Sequence, residues 1–309
     1  MLPEPDATQQ EPNRALGSVS KLRQRAEDRR RSDRLVVPQG NLQDASQFIL
    51  PQPQKNERGM PNALALGAIF SAAKTGGAVK RVVHESRLLA SVPDMRIVYQ
   101  GQELRQDDCS VFMALLFYQR DVPLGDPIFF TAYGILRELG WSINTNEYKH
   151  LLECCTRLAA TALSISFSNG AEGFTGSLLR SFAWRDEGNK QMSRWCARFE
   201  TSIARFFEKD SYSIIDPRIR RKISGRAPLA QWLHNFYSTH REPFAMSVSK
   251  YHELTDSRAK DLSDFRSKLK LALERLVEHG FLIHWEIKDD IVHVKRVRFH
   301  HTMARYRTL

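Results

Sequence analysis

The sequence predicts an α+β fold in which one unit occurs twice behind a disordered N-terminal arm. The unit consists of a helix, a strand, two further helices and a closing β-hairpin. An amphipathic helix followed by a hairpin near the C-terminus predicts it, and the same order of elements about 115 residues earlier predicts its duplication. The predicted domains are residues 1–59 for the arm, 60–202 and 203–296 for the two copies, and 297–309 for a basic C-terminal tail.

The composition favours an anionic partner. The 309 residues include 46 Lys and Arg against 35 Asp and Glu, a formal net charge of +11, which is typical of proteins that bind nucleic acid or an acidic membrane surface. No run of about 18 apolar residues predicts a membrane span, and the opening residues do not form a signal peptide. We therefore expect a cytoplasmic protein. The four cysteines lack Cys-x-x-Cys spacing, so neither a metal site nor a disulfide framework is predicted.

The predicted arm is rich in Gln, Pro, Arg and Asp, and it has too little apolar surface to fold alone. A basic run occupies its centre at 21–31. A solvated tail is the simpler interpretation of this run, and a contact with DNA is the alternative. Residues 96–104 then predict two short strands joined by a tight turn, which open the first folded unit.

The first copy combines a largely apolar helix with shorter elements that end at glycine or begin at polar caps. Gly140 ends its second helix, and Asn144 or Thr145 caps its third. The predicted elements are helices at 109–120, 131–139 and from 145 onward, and strands at 127–131, 162–167, 176–184 and 194–200.

The second copy follows the same order and ends in the clearest pattern of the chain. The predicted elements are helices at 228–240, 247–254 and from 262 onward, a strand at 244–246, and hairpin strands at 281–287 and 291–296. In the last helix, apolar residues fall at three- and four-residue spacing from Leu262 to Leu276, and the opposite face is polar and cationic. Gly280 is expected to end this helix.

A polar-faced helix followed by a basic hairpin is the arrangement with which winged-helix domains bind duplex DNA. The sequence therefore predicts two tandem winged-helix domains. A cation-rich connector between the copies is expected to contact phosphates, although a charge run is more often a solvated face. The candidate DNA-binding residues of the helices, connector and wing are Asn144, Thr145, Asn146, Lys149, Arg157, Arg218, Arg220, Arg221, Lys222, Arg226, Arg258, Lys260, Ser263, Ser267, Lys268, Lys270, Lys288, Lys295 and Arg296.

An enzyme is not expected from the motifs present. The chain has no phosphate-binding loop of the type Gly-x-x-x-x-Gly-Lys-Ser/Thr, no Gly-x-Ser-x-Gly and no His-Glu-x-x-His. His300 and His301 are adjacent and so lack the His-hydrophobic-His spacing of a rolling-circle nuclease. A winged-helix transcriptional repressor, which could repress its own promoter, stays open as the alternative function.

Six short segments between residues 59 and 296 resemble one known family. They are Gly59-Met60-Pro61-Asn62, 101–108, 139–144, 153–162, 238–244 and 289–296. In these segments the chain resembles the TrfA-type replication initiators of broad-host-range IncP plasmids, a group of tandem winged-helix proteins.

This resemblance implies initiation of plasmid replication and control of plasmid copy number. Such initiators have no catalytic centre and no cofactor. They bind directly repeated origin sequences (iterons) in double-stranded DNA and help expose single-stranded AT-rich origin DNA. They recruit the host initiator, the replicative helicase and the sliding clamp, and they exchange between monomer and homodimer.

The chain departs from the family pattern at two places. Where the family's second recognition helix begins with a cluster of Arg and Lys, this chain has Asp261, Ser263 and Asp264. Where the family has a clamp-binding peptide, residues 44–48 keep only its Phe, as Phe48.

Overall fold

Two hydrophobic cores organise the part of the chain that this computed structural model describes. The described residues are 48–51, 57–74, 79–91, 95–167, 170, 172–185, 194–208, 211–223 and 226–297. The buried residues of the first core lie between Leu50 and Ile215, and those of the second between Ile219 and Val292. Both cores belong to one compact unit of mixed α+β structure.

The described helices and strands are short, and they alternate along the chain. The helices are α1 Asn62–Ala65, α2 Gln106–Gln119, α3 Ala132–Leu139, α4 Thr145–Ala160, α5 Pro217–Ile223, α6 Pro228–Ser238, α7 Val248–Leu254 and α8 Leu262–Glu278, with a 3-10 helix at Thr201–Phe207. The strands are β1 Arg58–Pro61, β2 Phe70–Ser71, β3 Val83–Leu89, β4 Met95–Gln102, β5 Leu104–Arg105, β6 Ile128–Thr131, β7 Ala162–Phe167, β8 Glu172–Gly176, β9 Leu179–Trp184, β10 Arg194–Phe199, β11 Tyr212–Ile215, β12 Met246–Ser247, β13 Leu282–Lys288 and β14 Ile291–Arg296.

Helix α2 begins at Gln106, three residues before its predicted start. Asp108 Oδ2 accepts a hydrogen bond from the backbone N–H of Arg105 at 2.8 Å, and this reciprocal cap starts the helix at its acidic residues. The helix is buried along most of its length, because elements of both copies pack against it.

The caps of the two copies correspond in position and chemistry. The Thr131 hydroxyl caps α3 and the Ser247 hydroxyl caps α7, by accepting from Gly134 N at 3.0 Å and from Lys250 N at 3.2 Å. Asn144 caps α4 and Asp261 caps α8 in the same way. These paired caps set the same helix starts in both copies.

The same sheet order closes both copies. The strand that precedes the two later helices pairs with the last hairpin strand, so the orders are β6-β10-β9 in the first copy and β12-β14-β13 in the second. All these pairings are antiparallel. The order of elements that the sequence predicts twice is therefore present twice in the structure.

Strand β7 was predicted as a strand of the first copy, and it lies in a different sheet from β9 and β10. It pairs with β4, with Ile97 opposite Ile165, and together with β3 and β8 these strands form a four-stranded antiparallel sheet in the order β3-β4-β7-β8. Alternate residues such as Ile97, Tyr99 and Ile165 are buried in the first core, which fixes the register. The predicted strand at 176–184 is divided between β8 and β9.

At the ends of the predicted domains, the structure contains contacts that the sequence does not indicate. Residues 1–47 of the predicted arm lie outside the described residues, whereas Leu50 is buried in the first core. Strand β1 pairs with β11, so this pairing joins the end of the arm to residues predicted for the second domain. Of the predicted tail, only Val297 is described. No helix among the described residues has both the length and the apolar character needed to cross a membrane.

Candidate nucleic-acid interface

Helix α8 presents a polar face opposite its buried stripe. Phe265, Leu269 and Leu273 are fully buried in the second core. The predicted contact residues on the other side are exposed: Lys260, Ser263, Ser267, Lys268 and Lys270. The Lys268 ammonium donates to Asp264 Oδ2 at 2.7 Å, and this hydrogen bond lowers the pKa of the Asp264 carboxyl. The face is therefore cationic and accessible, and Asp264, the acidic residue of its first turn, is paired.

The hairpin β13–β14 is fastened to α8. Its two-residue turn consists of Asp289 and Asp290, with φ angles of 49° and 62°, the left-handed conformation that a type I′ turn requires. Arg266 Nε donates to Asp290 Oδ1 at 3.0 Å, and Trp285 Nε1 donates to Glu274 Oε2 at 3.0 Å. These bonds join the helix to the turn of the hairpin and to the middle of β13.

Two cations predicted for the wing remain exposed, while the acidic turn between the strands is partly neutralised. Lys288 and Lys295 project from β13 and β14. Because Arg266 pairs with Asp290, the turn presents less negative charge than its sequence indicates. The sides of the hairpin, more than its tip, are therefore suited to an anionic polymer.

Arg258 and Arg296 donate hydrogen bonds to other parts of the protein. Arg258 Nη2 donates to Glu103 Oε2 at 2.6 Å, a carboxylate of the first copy. Arg296 Nη1 donates to the carbonyl oxygens of Tyr237 at 2.6 Å and His240 at 3.0 Å, at the C-terminal end of α6. Both guanidiniums hold elements of the fold together, and contact of these two residues with DNA stays a prediction.

A cleft of about 470 Å³ lies beside the Lys268 side of α8. Its floor is formed largely by small and apolar residues, including Ala227 and Pro228, and its cations are Lys74, Arg226, Arg258, Lys268 and Arg275. The sequence reading did not select Lys74 or Arg275. Lys74 lies in a segment without helical or strand periodicity, whereas Arg275 could have been found from its position two turns after Lys268 on α8.

The first copy exposes the N-terminal end of α4. Asn144 Oδ1 accepts from Glu147 N at 3.0 Å, which leaves the amide N–H groups of Asn144 directed away from this cap. Thr145, Asn146 and Lys149 are also exposed. This end offers amide, hydroxyl and ammonium donors, which are the groups that read base edges and bind phosphates.

Arg157 is wrongly predicted as a DNA contact, because its side chain is only 7% exposed. Its Nε donates to Asp108 Oδ1 at 2.9 Å and its Nη2 to Cys154 Sγ at 3.2 Å. Asp108 also accepts from Arg81 Nη1 at 2.7 Å. The guanidinium therefore stabilises the buried acidic start of α2. Leu158, the buried residue next to Arg157, is the sequence signal that this part of α4 turns inward.

Asp107, His150 and Cys154 bring three potential metal-ligating atoms within 4.8 Å of one another. One carboxylate oxygen of Asp107 is already engaged, because His150 Nε2 and Arg81 Nη2 contact Asp107 Oδ2 at 3.0 Å and 2.5 Å, whereas Asp107 Oδ1 is buried without a hydrogen-bond partner among the described residues. Burial raises the pKa of the Cys154 thiol well above its usual value, which opposes the thiolate that a metal requires. Although burial acts in the opposite direction, the hydrogen bond with Asp107 raises the pKa of His150. The group fits an ion-pair network better than a metal site.

Arg220 of the connector is also buried, at 5% exposure, so its predicted phosphate contact is wrong. Its guanidinium donates to Ser110 Oγ at 3.0 Å, to the backbone and side-chain oxygens of Gln106 at 2.9 and 3.0 Å, and to Asn235 Oδ1 at 3.0 Å. It therefore joins α2 of the first copy to α6 of the second. Ile219 and Ile223, buried one residue before and three after it, mark this face of α5 as internal.

The other predicted cations of the connector are exposed at the surface. Arg218 Nη2 donates to Asp216 Oδ2 at 2.7 Å, and Arg221 Nη1 donates to the carbonyl oxygen of Glu138 at 2.9 Å. Lys222 is exposed on the same short helix, and Arg226 lines the cleft beside α8. Phosphate contact by these four residues stays a prediction.

Comparisons with known proteins show which family the chain resembles. The profile of the family described as TrfA protein matches residues 20–296. A curated relative, the plasmid replication initiator protein TrfA of Escherichia coli, is 32% identical over 250 residues, which are 80% of this chain and 64% of the relative. The chain thus spans less than two thirds of that relative's length.

Solved structures resemble the chain in fold. Selenomethionyl domains 2 and 3 of RctB superpose with a TM-score of 0.51 at 15% identity, over 77% of this chain and 98% of that one. A second structure of RctB domains 2–3 gives a TM-score of 0.48 at 14% identity, over 72% and 93%. Because the family profile covers most of the chain, this protein belongs to the TrfA family.

Proposed function

We propose that this protein is a plasmid replication initiator that binds origin iterons through two tandem winged-helix domains. The proposal rests on one observation: both copies repeat the same caps and the same sheet order, and each exposes a polar end of its last helix. Family membership supports the activity, since the relative from Escherichia coli is a plasmid replication initiator protein.

In this proposal, α4 and α8 are the recognition helices, and the hairpins β9–β10 and β13–β14 are the wings. The exposed polar faces of the helices enter the major groove, where side chains near a helix N-terminus reach base edges. Two such domains in one chain contact groove faces about 10 base pairs apart. The likeness in fold to RctB domains 2 and 3 supports a tandem arrangement.

The protein needs no catalytic group for this role. Contact with the iterons holds the DNA in a form that favours opening of the adjacent AT-rich segment, and binding free energy drives the step. The ATP-dependent unwinding belongs to the helicase that is recruited. We accordingly assign no metal and no cofactor to the mechanism, and we expect the protein in the bacterial cytoplasm, on its plasmid or near the nucleoid.

The proposed partners are the host initiator, the replicative helicase and the sliding clamp. The clamp is the least supported of them, because only Phe48 matches the family's clamp-binding peptide. Phe48 packs against the first core, and its carbonyl oxygen accepts from Leu124 N at 2.7 Å. Contact with a clamp through Phe48 would therefore require release of this residue from the fold. We also propose an exchange between homodimers and monomers, with the monomer as the form that binds an iteron.

The test combines footprinting on the origin of the chain's own plasmid with permanganate oxidation of unpaired thymines. An initiator protects the direct repeats and makes thymines of the AT-rich segment reactive. A winged-helix repressor, which is the alternative, protects its site without that reactivity. Absence of a footprint on the repeats would contradict the proposed function.

A further inference from the structure

Leu271 is the most exposed aliphatic side chain on the polar face of α8, at 68% exposure. Ser263, Ser267 and Leu271 are spaced four residues apart, so they form one stripe along the helix. This stripe lies opposite the buried Phe265, Leu269 and Leu276. The leucine therefore projects away from the core, at the centre of the surface assigned to DNA.

The surroundings of Leu271 are cationic and polar. Lys270 precedes it, and Lys268 and Arg275 lie on one side of the stripe, where they also line the cleft. The acidic residues nearby are engaged: Asp264 pairs with Lys268, and Glu274 accepts from Trp285. Leu271 also lines the cleft, together with small and apolar residues such as Ala227 and Leu229. The cations Arg226, Lys268 and Arg275 line the same cleft. A polyanion that presents an apolar group beside polar groups fits this mixture of apolar and cationic side chains.

The major groove of DNA presents such a group. Among the four base-pair orientations, the apolar feature of the groove is the C5-methyl group of thymine, and it lies beside hydrogen-bonding groups of the same base edges. The serines of the stripe suit those polar edges. The Ser267 hydroxyl donates to the carbonyl oxygen of Ser263 at 3.1 Å, so the Ser267 oxygen faces outward as an acceptor.

We propose that Leu271 is a specificity-determining residue of α8 that packs against the methyl group of a thymine in the bound site. This inference rests on the proposed function, because it needs α8 in the major groove. It also accounts for the departure from the family pattern at the start of this helix. In the family pattern, a cationic cluster would provide selectivity through hydrogen bonds to bases. In this chain, part of the selectivity comes from the apolar contact of Leu271 and from Ser263 and Ser267.

The experiment uses the full-length chain and a duplex that the chain itself selects from a random library. Each thymine of the selected site is replaced singly by deoxyuridine, which lacks only the C5-methyl group. Burying one methyl group corresponds to about a fourfold change in a binding constant. We therefore expect the wild-type protein to lose about fourfold in affinity at one thymine.

The Leu271→Ala variant should bind the unmodified site about fourfold more weakly and lose its discrimination between thymine and deoxyuridine at that position. Leu271→Met, which keeps an apolar contact, should retain discrimination. Leu88→Ala is the matched control, because Leu88 is 62% exposed but lies on β3, and this variant should behave like wild type. Alanine favours helix, so loss of folding is not expected at an exposed helical position.

Three results would overturn the inference while leaving the proposed function intact. In the first, the wild type binds its selected site but responds equally to every deoxyuridine. In the second, Leu271→Ala keeps the wild-type response at the sensitive thymine, and in the third this variant weakens binding to selected and random duplexes alike. If the wild type selects no sequence at all, sequence-specific binding fails and the proposed function fails with it.

Discussion

Replacement of Arg220 by alanine should destabilise the protein, because this connector residue is a structural link between the two copies. The side chain is 5% exposed and has hydrogen-bonding partners on α2 and α6. Burial lowers the pKa of its guanidinium. No carboxylate of the described residues forms an ion pair with it, so neutral oxygens of the protein replace the water that the cation loses.

The magnitude follows from the acceptors that the substitution would leave behind. Gln106 Oε1 and Asn235 Oδ1 each accept from Arg220 at 3.0 Å, and a buried acceptor without a donor costs about 1–3 kcal/mol. Relief of the buried charge offsets part of this loss, whereas the new cavity adds to it. We expect a net loss of about 3 kcal/mol in the free energy of unfolding, or a decrease in Tm of about 6–12 °C for a protein of this size.

Thermal unfolding followed by circular dichroism measures this effect. Methionine fills most of the volume of the arginine side chain. The Arg220→Met variant therefore separates the effect of the lost hydrogen bonds from the effect of the cavity. Lys222→Ala is the matched control, because Lys222 is exposed two residues later in α5. That variant should change stability by no more than about 0.5 kcal/mol, and it should weaken binding to iteron and random duplexes alike.

The opposite pattern would refute this reasoning. If Arg220→Ala kept the wild-type Tm but lost affinity for DNA well below that temperature, Arg220 would have to reach the phosphates. The buried position between α2 and α6 would then not describe the DNA-bound protein.

Four further predictions follow from the described residues. His234 is fully buried with neither ring nitrogen hydrogen-bonded, and burial lowers its pKa to about 3. Because this histidine is protonated near pH 6.5 in the unfolded chain, the free energy of unfolding should be highest above that pH and fall by about 1–2 kcal/mol between pH 6.5 and 5. Denaturation curves of His234→Leu should show a weaker dependence on pH. DNA affinity should fall by orders of magnitude between about 50 and 200 mM salt, since each neutralised phosphate contributes about 0.9 to the log-log slope; a flat response in a binding titration would contradict the interface. The double variant Asn146→Ala and Lys149→Ala should alter the ranking of iteron variants, and an unchanged ranking would exclude α4 from base reading. Mass measurement should find one chain on a single-iteron duplex, because direct repeats lack the two-fold axis that a symmetric dimer requires; two chains that persist at nanomolar protein would contradict this.

Local sequence signals were sufficient to predict the helices of the proposed interface and where they begin and end. The apolar spacing from Leu262 to Leu276 predicted α8, and Gly140 and Gly280 were correctly placed at helix ends, with φ angles of 70° and 72°. Of the two residues predicted as the cap of α4, Asn144 and Thr145, Asn144 is the cap. These features depend on a few neighbouring residues, whose periodicity and backbone preference are visible without knowledge of the partner elements.

Pairings between distant segments could not be predicted in the same way. Strand β3 was missed because its exposed residues do not alternate regularly, and the register with β4 shifts between His84 and Arg87. The pairing of β1 with β11 joins segments far apart in sequence, and nothing in either segment specifies the other. Strands β4 and β7 were both predicted, but their pairing was not, since strand propensity does not identify the neighbouring strand.

Two of the candidate contact residues are buried, and both are arginines. Arg157 and Arg220 donate to oxygen or sulfur atoms inside the protein, whereas the predicted lysines are exposed. A guanidinium is planar and weakly hydrated, so it can satisfy several fixed acceptors in an interior where an ammonium would lose more hydration. Arg220 and Arg258 each join residues of one copy to residues of the other. The positive charge of this chain therefore has two separate uses. Exposed lysines and arginines such as Lys268 and Arg221 are suited to bind phosphates, whereas the buried Arg157 and Arg220 stabilise the start of α2 and the contact between the two copies.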